Sequence, residues 1–394
     1  GERPMSSSSK SQEFLKQRNV CYIGAPFCEG QNLVGTDLAP TALREAGLED
    51  ALSKLGWSWE DYGDIDFKSH FKRLRGGDGS EEHHHTIQLY REWVSGGMAE
   101  NFSTWASKKK KRKSREVELE QPYDSDSIIS THTPGKVDNS VMIGSGLKLV
   151  YDEVSRAAAS GSFVLSVGGD HSIGASSIAA LHKTYPTLGV IWIDAHADAN
   201  TPASSPSGHY HGMPAAHLMG WFDQDQPVDG FSWFPHAGCL DESRLAYVGL
   251  RDIDPEEGRM LRESNAHCFT MREVDKHGIA QVIEMAIQAI DPNGRRPLHL
   301  SLDIDGIDPH FAPGTGTCAR GGLTYREIHY VCEELALTRR LVSMDLVEVN
   351  PALDAPPTQG PMHGDDPTIK ASPQTVRLAV ELTLSALGKT ILPV

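Results

Sequence analysis

Two kinds of block recur along this chain. Short apolar runs at residues 20–23, 163–167, 190–193, 298–302 and 341–347, with another opening at Leu245, have the length and composition of buried strands. Between them lie stretches with helical spacing of apolar positions. One begins near Pro40, where proline in a first turn is tolerated, and others cover 143–158, 324–337 and 373–387. This regular strand-helix succession predicts an α/β fold, a parallel sheet with helices on both faces.

Residues 68–136 break the rhythm. They are turn-rich, charged and Ser-rich, and they predict a partly disordered insertion in a single domain spanning 19–394. Within it, His83, His84 and His85 follow Glu81 and Glu82 and read as a solvated turn, with metal binding as the alternative. Lys108 to Lys113 reads either as a polyanion or nuclear-localisation patch or as a charged surface segment. Leu89, Tyr90, Trp93 and Val94 share one helix face, which would dock part of the insertion on the body. Residues 1–18 read as a flexible N-terminus, with Gly1 to Pro4 ahead of Met5 as a tag remnant.

The apolar runs matter most for the residues at their carboxyl ends. Gly168-Gly169-Asp170-His171, Asp194-Ala195-His196-Ala197-Asp198 and Asp303-Ile304-Asp305 each stand at the end of one, where open α/β sheets place their chemistry. A fourth run ends in Glu348-Val349-Asn350-Pro351. Side chains at i and i+2 of an extended segment share a face, so Asp194, His196 and Asp198 are expected to converge, as are Asp303 and Asp305. With His171 this makes two imidazoles and four carboxylates. Four negative charges are too many for one hard divalent ion and suit two. Oxygen and imidazole ligands without thiolate favour Mn²⁺ or a similar ion over structural zinc. Taken singly, each run fits a blander role: a tight turn, a solvated loop, a capped strand end. Their joint occurrence after buried strands is what speaks for a site.

The chain resembles the arginases of the ureohydrolase family from about Asn19 to Leu387, apart from the insertion. Besides the ligand runs, the resemblance is carried by Gly24-Ala25-Pro26-Phe27 with Gly30-Gln31, Pro40-Thr41-Ala42-Leu43-Arg44, Asn200-Thr201-Pro202, Ser207-Gly208, His211-Gly212, Gly249 to Pro255 and Gly321 to Glu327. It implies a single doubly wound, mainly parallel sheet in a three-layer sandwich. It also implies two Mn²⁺ per subunit, a homotrimer with Arg326 and Glu327 near subunit contacts, and hydrolysis of L-arginine to L-ornithine and urea by attack of a metal-bridging hydroxide on the guanidinium carbon. His171, Asp194, Asp198 and Asp303 would serve one ion, and Asp194, His196, Asp303 and Asp305 the other. Asp198 would pass a proton to the departing amine, His211 would shuttle protons to solvent, and Glu348 would clasp the guanidinium. Read from the residues alone, Glu348 also fits a buried ion pair and His211 a loop histidine. Asn200, Ser205 and Ser207 would donate to the substrate carboxylate, Asp254 and Glu257 would suit its ammonium, and Thr317 would join them. His209 departs from the family pattern, which has Asn there. Alternatives are a ureohydrolase acting on agmatine or a guanidino acid, and a metal-binding regulatory protein without turnover.

Composition narrows the partners. Fifty-three Asp and Glu against 37 Lys and Arg give a net charge of −16, which disfavours nucleic-acid binding despite the Lys108 run and suits a cationic substrate. Six cysteines without metal spacing predict free thiols in a reducing compartment, and no apolar run reaches membrane-spanning length. The cytoplasm is expected, with mitochondrion and nucleus as alternatives. A mitochondrial leader is poorly supported, since Glu13 falls early and no Arg-rich amphipathic stretch precedes Val20.

Overall fold

Alternate residues of the central strands enter two separate cores, which is why the runs are apolar at nearly every position. In the first strand Val20 and Tyr22 face one core while Cys21 and Ile23 face the other; Ile191 and Ile193 are likewise opposed to Val190 and Trp192. The computed structural model describes residues 14–75, 135–354 and 369–390. Among these, eight strands form one sheet: β1 Asn19–Ala25, β2 Ser58–Asp64, β3 Phe163–Gly168, β4 Gly189–Ile193, β5 Leu245–Leu250, β6 His267–Thr270, β7 Leu298–Asp303 and β8 Leu341–Val347. Their order is β2-β1-β3-β8-β7-β4-β5-β6, and each pairing is parallel.

Helices cover both faces, giving the expected three layers. Helices Ala39–Glu45, Leu48–Lys54, Ile279–Ile290, Tyr325–Leu337 and Gln374–Ala386 pack into one core, and Ser140–Ser160, Ile173–Thr184 and Pro214–Leu218 into the other. The second core is polar where β7 meets it. Leu298, Leu300 and Leu302 point to the first core, whereas His299 and Ser301 sit on the opposite face, fully buried.

Two strands have no counterpart in the apolar pattern, and both are edges. β2 reads SWEDYGD and is largely exposed, and β6 is four residues long and only partly buried. An edge strand needs one apolar face at most, and charge on it discourages pairing with another chain. Arg44 braces β2 by holding Asp61 at 2.7 Å and Asp64 at 2.6 Å, with its guanidinium 4.4 Å from the Tyr22 ring.

Residues 68–75, which composition places in the expected insertion, are helical. Helix Phe67–Arg75 buries Phe67 and Phe71 against Phe27, so residues 68–75 belong to the body. The His83 to His85 and Lys108 to Lys113 runs, the proposed docking face at Leu89 to Val94, and residues 1–13 lie outside the described residues.

The four strands that precede the motifs are neighbours in the sheet, in the order β3-β8-β7-β4. β3, β4, β5 and β6 advance in one direction across the sheet, and the chain then reverses to lay β7 and β8 in the gap between β3 and β4, so the connections leaving β4 and β7 run opposite ways. The crevice outside the carboxyl ends of such strands is where open α/β sheets bind ligands.

Candidate active site

Each motif residue is aimed by a departure from regular structure just past its strand. After β3 the chain turns at Gly169, where a Cβ would meet the Phe27 carbonyl oxygen at 1.8 Å, and delivers His171 ahead of helix Ile173–Thr184. After β4 it bends at residues 195–196, and Asp198 adopts φ 49°. After β7 a 3-10 turn over Ile304–Gly306 carries Asp305, whose amide donates to Asp303 Oδ1 at 2.8 Å. After β8, Glu348 adopts φ 59°. Left-handed backbone at non-glycine residues costs about 1–3 kcal/mol and clusters at functional sites. The carboxylates do converge as expected, but strand alternation is not the cause; a bend, a left-handed residue and a 3-10 turn are.

The result is a cage of acceptors. His171 Nδ1 lies 3.2 Å from Asp194 Oδ2, 2.9 Å from Asp198 Oδ2 and 3.2 Å from Asp303 Oδ2. His196 Nδ1 lies 3.4 Å from Asp194 Oδ1 and 3.1 Å from Asp305 Oδ2. Two groups of donor atoms could each hold an ion, His171 with Asp194, Asp198 and Asp303, and Asp194 with His196 and Asp305. Asp194 belongs to both and offers a different oxygen to each. Asp303 groups with the first set alone, so its expected bridging role is not seen in these groupings.

The electrostatics ask for positive charge. Burial, with the charges of Asp305 and Asp194, pushes Asp303 well above the usual carboxylate range, and burial with Asp194 raises Asp305 to about 6. Burial would raise Asp194 too, but hydrogen bonds from His171 and His196 hold it below its ordinary value. His171 Nε2 sits 2.9 Å from Ser301 Oγ, and the ring stacks 4.2 Å from Trp192. Burial disfavours charge on His171, but the three carboxylates outweigh it and hold the imidazole well above its usual value; with an ion bound, the Nε2 proton would stay towards the serine and the Nδ1 lone pair would turn to the metal. An all-oxygen-and-imidazole donor set with this much charge fits two hard or borderline dications.

The cage opens into a cavity of about 240 Å³ lined by every proposed substrate residue: Asn200, Ser205, Ser207, His209, Asp254, Glu257 and Thr317, together with Asp198, His211 and Glu348. Many of these are already tied to one another. Asn200 Nδ2 donates to Asp254 Oδ2 at 3.0 Å, and Ser205 and Ser207 accept from the amides of Gly208 and His209. Glu257 is buried, and its oxygens accept from the amides of Ala199 at 2.8 Å and Asp254 at 3.2 Å, the second contact belonging to a capping box on helix Pro255–Glu263. Burial lifts it to about 8, so it awaits a cation to become fully charged.

Glu348 and His211 form an ion pair at one wall, 3.2 Å apart. Burial disfavours charge on both. The imidazole's hydrogen bond and charge outweigh it for Glu348, which is lowered, and the carboxylate does the same for His211, which is raised to about 9.

Composition and motif reading gave no role to several residues that hold this site together. Trp192 Nε1 donates to Asp194 at 2.9 Å, Ser301 orients His171, Asp252 lines the cavity, and Gln31 donates to Glu348. Trp192 and Ser301 lie at i−2 from Asp194 and Asp303 on their strands, and that spacing was the available signal.

Comparison with known proteins agrees with the geometry. The model described as "Arginase family" matches residues 18–388. The chain belongs to the arginase family. Arginase from Plasmodium falciparum is 36% identical over 99% of this chain and 98% of that protein. Arginase from Glaciozyma antarctica is 34% identical over 98% of this chain and 92% of its own length. The solved arginase of Bacillus caldovelox superposes with a TM-score of 0.69 at 30% identity, covering 95% of this chain and all of that one. The family's doubly wound sheet and its two-metal ligand cluster are both present here.

Proposed function

We propose that the chain hydrolyses L-arginine to L-ornithine and urea at a centre holding two Mn²⁺ per subunit. The observation that carries this reading is the joining of two metal-ligand groups, through shared Asp194, at the floor of a small acidic cavity walled by Glu348 and His211. At about 240 Å³ the cavity is below the roughly 300–1,000 Å³ of pockets for drug-sized ligands, as a single amino acid requires.

Bound in the cage, two dications supply an activated water near neutral pH. The chain's own residues do the rest. Glu348 is buried, ionised and hydrogen-bonded on both oxygens, so it can bind a guanidinium and set its carbon over the cage floor. Cleavage releases an amine that needs a proton, and two lining groups can supply it. Asp198 touches both the cage and the cavity, and His211 carries a proton at neutral pH. At the far end, Asn200, Ser205, Ser207, His209 and Thr317 can meet a carboxylate, while Asp254 and Glu257 match an ammonium. A substrate carrying both groups satisfies both sets, and agmatine has no carboxylate to offer.

Urea release from arginine, agmatine and a guanidino acid, measured with the Mn²⁺-loaded protein, tests the assignment. Preference for agmatine would overturn it in favour of another ureohydrolase, and no turnover on any would favour a binding role. A homotrimer is proposed with it on the family resemblance; Arg326 is exposed, whereas the Glu327 carboxylate caps its own helix by accepting from the Thr324 amide at 2.8 Å. We place the protein in the cytoplasm because its six cysteines are all free thiols, Cys318 among them exposed. Among the described residues no helix is long and apolar enough to cross a membrane.

A further inference from the structure

Behind Glu348, away from the cavity lining, lies Gln31, only 9% exposed, whose Nε2 donates to Glu348 Oε2 at 2.8 Å. We infer that Gln31 is a positioning residue for the guanidinium end of the substrate, holding the Glu348 carboxylate in the one orientation that can clasp it. This rests on the arginine reading of the same site.

Glu348 hangs from a left-handed backbone beyond the end of β8, so the strand alone does not aim it. Its Oε1 is fixed by the His171 amide at 3.0 Å and by His211 Nδ1 at 3.2 Å. Gln31 holds the other oxygen. An ionised carboxylate only accepts, so the amide must turn Nε2 towards it.

The loop that presents Gln31 is itself locked to the motif that presents His171. Gly30 N donates to buried Asp170 Oδ2 at 2.8 Å, and Gly30 O accepts from the His211 amide at 3.2 Å. A Cβ at Gly30 would lie 1.9 Å from Ser172 Oγ and 2.9 Å from both Asp170 carboxylate oxygens, so a larger residue would have to displace those side chains. Asp170, Gly30, Gln31, Glu348 and His211 thus form one cross-linked unit. The choice of donor matters as well. A lysine or arginine at this position would add a second cation beside His211 and compete with a cationic substrate, whereas a neutral amide fixes the carboxylate without adding charge.

The test compares wild type with Gln31→Met, which keeps length and loses the donor, and Gln31→Glu, which keeps shape and sets a second carboxyl against Glu348, where the pair can hold only one charge. Metal content, arginine kcat and KM, and inhibition by ornithine, which has no guanidinium, are measured on the Mn²⁺-loaded protein. Losing a hydrogen bond to a charged group should raise the arginine KM by about tenfold or more. The ornithine inhibition constant and metal content should stay within about twofold. An unchanged KM, a parallel rise for ornithine, lost metal, or failure of both variants to fold would assign Gln31 to the scaffold and overturn the inference. A wild type that releases no urea from arginine would instead defeat the functional reading, and this inference with it.

Discussion

Replacing Asp303 with asparagine removes one charge from the cage and changes little else in shape. In the wild type Asp303 Oδ1 accepts from the Asp305 amide at 2.8 Å, and Oδ2 lies 3.2 Å from His171 Nδ1 among the ligand oxygens. The Asp305 amide is buried and must keep an acceptor, so the new side chain will place its carbonyl there. Its NH₂ group then points where a carboxylate oxygen would meet an ion. An anionic ligand is replaced by a donor that cannot coordinate and that repels a cation. Changes in the residues that merely orient a ligand cost roughly 10–100-fold in metal affinity, so losing a ligand should cost at least about 100-fold, or about 2.7 kcal/mol. Turnover at limiting Mn²⁺ should fall by well over tenfold. The assay is chelation, dialysis against buffers of defined free Mn²⁺, elemental analysis, and urea release at each concentration. Near-wild-type metal content and urea release after Mn²⁺ resupply would show that Asp303 is not a ligand and refute the assignment of the cage.

Two further outcomes can be checked independently. Replacing Gly77 to Thr133 with a short Gly-Ser linker should leave arginine turnover within a few fold, because loop length costs little and helix Phe67–Arg75, which packs on Phe27, is retained; loss of folding or metal content would place the segment in the core or an interface. His217 is stacked on Phe222 and Phe234 and bonded to Tyr210 at 2.8 Å, and burial lowers it to about 3. Its unfolded counterpart binds a proton near 6.5, so this contribution to stability is complete above that pH and is lost as pH falls towards 3. Between pH 7 and 4.5 wild type should lose about 2–3 kcal/mol more than His217→Phe, read from denaturant midpoints; equal losses would mean that the ring is hydrated or charged in the fold.

Much of the architecture was legible in the chain because burial leaves a one-dimensional trace. A central strand of a parallel sheet meets helices on both faces, so its residues are apolar in succession, and the run at 341–347 coincides with β8. The helix expected at 324–337 begins at Tyr325, since Thr324 caps it by accepting from the Glu327 amide. Edge strands leave no such trace. β2 carries Glu60, Asp61 and Asp64 because one of its edges faces water, and only pairing with β1 makes it a strand.

The ligand types were equally legible, since few roles other than metal binding gather His171, Asp194, His196, Asp198, Asp303 and Asp305 at strand ends. Their meeting was not, because residues up to 134 apart come together only through the order β3-β8-β7-β4, which depends on how helices pack across the sheet. Nor was the aim of each side chain: the left-handed turns at Asp198 and Glu348 persist because surrounding contacts outweigh their local cost. Gln31 shows the same division. Its sequence neighbours mark a glycine-rich loop, but its partner Glu348 stands at the end of a different strand, and only the folded sheet brings amide and carboxylate to 2.8 Å.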